Sequence, residues 1–276
     1  MIGVAASDLQ PPQCYQRQNP APSLQQLTVF CDFDGPIIDV SNRYYTTYQL
    51  GLADTQAFYQ VPGISLPIQQ LTKHQFWQMK QDRVPDVEIA MRSGLRTEQI
   101  DFFLERVIEI VNQPALLRQD KLQPGVSWAL ALLHSQGVRL VLVTLRCQAQ
   151  ATQILRNYGL TRLFSGIYGT CDAGGGSRGD HRDAAYQNYA DAKTQLLSQA
   201  LAEQSLLAGH PTSAWMVGDT EADLIAGQTF EIPTIALTCG IRSHYYLKQF
   251  QPTRVHSDLL AAAHDILESV RSGRGY

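Results

Sequence analysis

Four short apolar runs, at residues 27–31, 138–144, 213–219 and 232–237, alternate with helical patterns, and this alternation limits the fold more than any other feature. The runs are rich in Val, Leu and Ile, the character of strands buried in a sheet. A weaker run, SGIYG at 165–169, reads as a further short strand. Helical stretches separate them: 124–137 ending at Gly137, 148–160 with Gly159 at its C-cap, 192–204, 221–230, and an amphipathic last helix at 257–270. Repeated strand–helix units predict a parallel sheet covered on both faces, a doubly wound α/β fold.

Residues 42–121 break that rhythm and read as an all-helical module inserted after the first strand. Thr72 and Gln75 have capping-box spacing. Ile100, Phe103, Leu104, Val107, Ile108 and Val111 form one apolar face of a helix, capped by Thr97 and stopped near Pro114. The expected organisation is therefore a loosely ordered, Pro- and Gln-rich extension at 1–26, an α/β core from 27–41 and 122–276, and a helical insertion at 42–121.

Of the 276 residues 17% are charged, and the net charge of −3 gives no support for binding nucleic acid or anionic lipid, either of which favours a basic face. No apolar run reaches the ~20 residues of a membrane span, and the N-terminus lacks a signal-peptide pattern. Five scattered cysteines without a C-x-x-C pair fit a reducing cytoplasm. The GGGSRGD stretch at 174–180 lacks a phosphate-loop ending and reads as part of a polar surface loop spanning 171–190.

Ligands of a doubly wound sheet bind at the carboxyl ends of its strands. The first strand ends in Asp32 and Asp34, the second in Thr144, and 213–219 ends in Asp219, with Asp223 four residues on. Lys193 is the only lysine between 122 and 247. Carboxylates held close repel one another and lose hydration, so they need a cation or a proton. A hard divalent ion such as Mg²⁺, which prefers carboxylate, carbonyl, water and phosphate oxygens, meets that need. An Asp so neutralised can attack a phosphoryl group, while a second Asp moves the proton.

In order and spacing, DFDGPIID, VLVT, Lys193 and VGDTEAD resemble the four motifs of the haloacid dehalogenase superfamily. The helical insertion resembles its C1 cap, as in phosphoglycolate-phosphatase-like members, and the similarity covers roughly 27–265. The resemblance implies a Mg²⁺-dependent phosphatase acting on a small phosphorylated metabolite through an aspartyl-phosphate. Asp32 would be the nucleophile and Asp34 the general acid/base. Mg²⁺ would be held by Asp32, the Asp34 carbonyl, Asp219 and Asp223, and phosphoryl oxygens by Thr144 and Lys193. Arg146, which stands where the chain departs from the family pattern, is a further expected contact to substrate or phosphate. Alternatives are a phosphomutase of the β-phosphoglucomutase type, or a weakly catalytic binding or regulatory protein on the same scaffold. The chain departs from the family pattern at Pro36, where Thr or Val is usual, at Leu145-Arg146 in place of Asn, and at Thr194 in place of Pro. Arg43, just after the first motif, is the best placed of several basic and aromatic residues in the insertion to face a substrate.

Overall fold

The computed structural model describes residues 27–60, 66–171, 182–204 and 214–272. The 1–26 extension and the GGGSRGD stretch lie outside the described residues. In chain order the elements are β1 (Thr28–Cys31), β2 (Ile38–Asp39), α1 (Ser41–Phe58), α2 (Lys73–Gln81), α3 (Asp86–Arg92), α4 (Glu98–Ile110), α5 (Pro114–Leu117), β3 (Lys121–Leu122) and α6 (Val126–Ser135). There follow β4 (Arg139–Cys147), α7 (Gln148–Asn157), β5 (Phe164–Thr170), α8 (Arg182–Glu203), β6 (Ala214–Gly218), α9 (Glu221–Thr229), β7 (Thr234–Leu237), α10 (His244–Lys248), β8 (Arg254–His256) and α11 (Leu259–Arg271).

Six strands form one parallel sheet in the order β5-β4-β1-β6-β7-β8. Successive side chains of a strand point to opposite faces, so the apolar runs build two cores. Val29, Cys31, Leu140, Leu142, Trp215 and Val217 pack with Leu130 and Leu133 of α6 and Ala263 and Ile266 of α11. Phe30, Val141, Val143 and Met216 face the other way, onto Leu197 and Leu201 of α8 and Ala226 of α9. The doubly wound expectation is met, with β1 near the centre of the sheet.

The helices α1 to α4 gather around a separate cluster that includes Tyr48, Leu52, Phe76, Ile89 and Phe103. The Tyr48 and Phe76 rings stack at 4.8 Å, and the Tyr48 hydroxyl meets Ser93 Oγ at 2.7 Å. The Thr72–Gln75 capping box forms. Thr97 does stand at the N-cap of α4, but with φ of 38° and no side-chain cap bond. Ile110 rather than Ile108 completes the buried face of that helix, and Ile108 is exposed. The chain leaves for this block through β2 and returns through β3, which pair antiparallel. Two-residue strands carry no periodicity, which is why neither is visible in the sequence.

Helix α8 begins at Arg182, inside the stretch expected to be loop up to 190. The segment RDAAYQNYADAK has no Gly or Pro and several strong helix formers, so propensity favours the earlier start. Among the described residues no helix is long and apolar enough to cross a membrane.

Candidate active site

Strands β4, β1 and β6 lie side by side, so residues following their carboxyl ends converge. The amide of Asp32 continues the ladder by donating to Val217 O at 2.9 Å. After it the chain turns within a few residues. The amides of Gly35, Ile37 and Ile38 all bond within the turn, to Ile38 O, Phe33 O and Phe33 O. Pro36, which has no N–H, occupies the one position from 35 to 38 that need not donate. Gly35 has φ of 102°, and a Cβ there would overlap the Asp219 carboxylate.

Asp32, Asp219 and Asp223 are buried and bring one carboxylate oxygen each to within 4.8 Å of the others. Lys193, 1% exposed, reaches them from α8. Its Nζ lies 2.6 Å from Asp32 Oδ1 and 2.8 Å from Asp223 Oδ1, and donates to Val143 O at 2.9 Å. Asp223 also caps α9, accepting from Thr220 N and Oγ1 at 3.1 and 2.7 Å through Oδ2. Asp219 Oδ2 accepts from Ile241 N at 2.6 Å, while its Oδ1 is buried without a partner among the described residues. Thr144 is buried in β4, and its hydroxyl accepts from Arg146 N at 3.1 Å.

One ammonium does not balance three buried carboxylates. Burial, and then the charge of Asp223, push the Asp32 carboxyl up to about 7 against the pull of Lys193. Burial, followed by Asp32 and Asp223, raises Asp219 well above the usual carboxylate range. Burial opposes the charge on Lys193, but Asp223 and Asp32 outweigh it and raise its pKa. The orphaned Asp219 oxygen, the glycine-lined space beside it and the surplus of negative charge suit a hard divalent cation. Asp34 stands apart, its side chain 28% exposed, with Arg43 and Arg146 on its two oxygens.

The family model for haloacid dehalogenase-like hydrolases matches residues 27–230, most of the chain and every residue of this cluster. The chain belongs to that family. The probable phosphatase IndB of Dickeya dadantii is 27% identical over 257 residues, covering 92% of this chain and all of that protein. A phosphoglycolate phosphatase of Mesorhizobium japonicum is 27% identical over 154 residues, 55% of this chain and 60% of its own. A putative phosphatase from Clostridium difficile superposes with a TM-score of 0.62 over 87% of this chain and 97% of its own. At 19% identity, that likeness speaks for the fold alone.

Of the residues singled out in the sequence, Asp32, Asp34, Asp219 and Asp223 follow the ends of β1 and β6, Thr144 and Arg146 lie in the last part of β4, and Lys193 reaches in from α8. Three others went unread. Asp120 joins Arg43 and Arg146 beneath Asp34. Gln123 donates to both Gly35 O and Cys239 O, at 2.9 and 3.1 Å. Glu221 pairs with Arg242 and with Arg83 of the helical insertion, at 2.8 and 3.0 Å. Asp120 and Gln123 belong to no motif, and Glu221, although it lies within VGDTEAD, acts like them by contacts distant in sequence, for which local pattern gives no signal.

Proposed function

We propose that this chain is a Mg²⁺-dependent phosphatase that hydrolyses a small phosphorylated metabolite through an aspartyl-phosphate. The observation that carries the reading is Asp32, a buried carboxylate paired with Lys193 and set between Asp219 and Asp223. The phosphatase names of several relatives support the same class.

In this reading an Asp32 oxygen bonds to phosphorus as the ester P–O bond breaks, and Asp34 gives its proton to the departing alcohol oxygen. Asp34 then takes a proton from water, whose oxygen attacks the phosphoryl group. Inorganic phosphate leaves and the Asp32 carboxylate returns. Lys193 donates to Val143 O and pairs ionically with Asp32 and Asp223, so it aids the transferring group chiefly through its charge. Thr144 and Arg146, whose Nη1 is buried without a hydrogen-bond partner among the described residues, are assigned to phosphoryl oxygens. Asp32, Asp219 and Asp223, with the Asp34 carbonyl, are assigned as Mg²⁺ ligands. Bound there, the ion would cancel the mutual repulsion of the carboxylates and polarise the phosphoryl group. The helical block α1–α5 acts as a cap that excludes bulk water and selects the substrate.

The direct test is phosphate release from a panel of small phosphate monoesters in Mg²⁺ and in EDTA. Release from at least one ester, dependent on Mg²⁺, is expected. No release from any ester by Mg²⁺-loaded protein would reject the reading.

The same site sets a pH signature. Carboxyls with raised folded-state pKa weaken the metal-free protein as pH climbs from about 4, the unfolded Asp value, to about 7, where Asp32 loses its proton. Mg²⁺ competes with those protons, so its stabilisation grows over the same interval. At neutral pH and 100-fold over Kd it contributes about 2.7 kcal/mol, or roughly 5–10 °C in Tm. Thermal melts with Mg²⁺ or EDTA should show that shift at pH 7.5 and a much smaller one at pH 5. A shift independent of pH would place the ion elsewhere.

A further inference from the structure

We infer that Asp120, acting with Arg43, is a positioning residue that fixes the orientation of Asp34. The inference rests on the phosphatase reading above and adds to it a pair of residues that the motifs do not contain.

Four side chains close a ring. Arg43 Nη2 donates to Asp34 Oδ2 at 3.2 Å, and Arg146 Nη2 lies 2.8 Å from Asp34 Oδ1. Beneath them Arg43 Nε donates to Asp120 Oδ1 at 2.9 Å, and Arg146 Nη2 to Asp120 Oδ2 at 2.7 Å. Arg43 is further held through Nη1 by Val111 O and Asn112 Oδ1, at 3.4 and 3.3 Å. Two carboxylates and two guanidinium groups balance in charge. Asp120, Arg43 and Arg146 are buried, and only Asp34 opens to the outside.

Such a ring is a costly way to make a protein stable. Buried ion pairs are often no better than well-packed apolar side chains, because desolvation cancels much of the attraction. What the ring supplies is direction. An Asp side chain on a turn has two free torsions. A hydrogen bond from Arg43 to Oδ2 and an ion pair with Arg146 at Oδ1, which accepts no hydrogen bond among the described residues, restrict both. Each carboxylate oxygen has two lone-pair positions, so one guanidinium contact apiece leaves room for a substrate-side partner. Arg43 lies at the start of the helical insertion, Asp120 at its end and Arg146 in β4. The ring therefore closes only when both connections of the insertion are seated on the core. Proton transfer depends steeply on such placement.

Asp34 matters unequally to different esters. Breaking an alkyl phosphate expels an alkoxide unless Asp34 supplies a proton, whereas nitrophenolate leaves without one. The value of kcat/KM reports events up to loss of the alcohol, so it isolates this step. For full-length Asp120→Asn with Mg²⁺, the ratio of kcat/KM for p-nitrophenyl phosphate to that for glycerol 3-phosphate should rise about 10–100-fold, part of the 10²–10⁴ ascribed to a positioned acid. Adding Asp120→Asn to Asp34→Asn should not change the ratio further, because Asp120 acts only through Asp34. Arg43→Lys keeps the charge but cannot bridge both carboxylates, and should raise the ratio in the same way if Asp120→Asn does not fold.

An equal loss on both esters, no loss on either, or additive loss in the double variant would overturn the inference while leaving the phosphatase reading intact. Failure of both single variants to fold would make the ring structural and also overturn it. A wild-type protein that cleaves neither ester, nor any in the panel, would take down both.

Discussion

Asp32→Asn removes turnover and leaves the protein folded. An amide has almost the shape of a carboxylate, so the ladder bond from Asp32 N to Val217 O and the surrounding packing persist. Its oxygen is a far weaker nucleophile and carries no charge, so the phosphoryl group has nothing to bond to. Removing one member of a catalytic unit that acts together has cost up to ~10⁶-fold in other enzymes, and a loss of at least about 10³-fold in kcat is expected here. Without metal the variant should melt no lower than wild type, because one of three mutually repelling carboxylates is gone and with it the charge that burial makes unfavourable. Phosphate release, thermal melts in EDTA and intact mass after acid quenching check this together. Wild type should trap one phosphoryl group on the chain and the variant none. Activity retained within tenfold, or a phosphoryl group still trapped in the variant, would reject Asp32 as the nucleophile.

The parts of the fold visible in the sequence are those governed by repeating local pattern. Residues 138–144 could only be a buried strand, because seven residues of mostly Val and Leu leave no polar face. The amphipathic helix of the insertion was equally plain, although Ile108 turned outward and Ile110 inward once packing against α1 fixed its rotation. Strand β8, a short edge piece of Arg254, Val255 and His256, has no apolar run to announce it, and exists because β7 offers it a ladder. Strands β2 and β3 are the same case at smaller scale.

The chemistry divides in a similar way. Residues at strand ends, such as Asp219 and Thr144, are fixed in space by the sheet once the sheet is known, so reading the strands located them. Asp120 could not be found like this. Its importance comes from two arginines 77 and 26 residues away, brought together by tertiary packing. Arg146 was assigned from the sequence to substrate. The fold adds that its Nη2 already serves Asp34 and Asp120, leaving Nη1, buried and without a hydrogen-bond partner among the described residues, as its unused donor.

Lys193→Met is expected to be the most destabilising single change at the site. The methionine fills nearly the same length in α8 but carries no charge, so Asp32 and Asp223 lose their counterion at 2.6 and 2.8 Å while staying buried. Stranding buried charges by removing one partner costs about 3–5 kcal/mol, a large share of the ~5–15 kcal/mol that holds a typical protein together. In EDTA at pH 7.5 this should lower Tm by roughly 10 °C. Lowering the pH should return part of the loss, since the stranded carboxyls then take up protons in the folded state. The decisive variant is Lys193→Met with Asp223→Asn, which removes one stranded charge along with the lysine. If Lys193 is the internal counterion of the cluster, the double variant melts above Lys193→Met alone, although it lacks two polar contacts rather than one. If the losses simply add, Lys193 contributes by packing, and the charge balance drawn for this site is wrong.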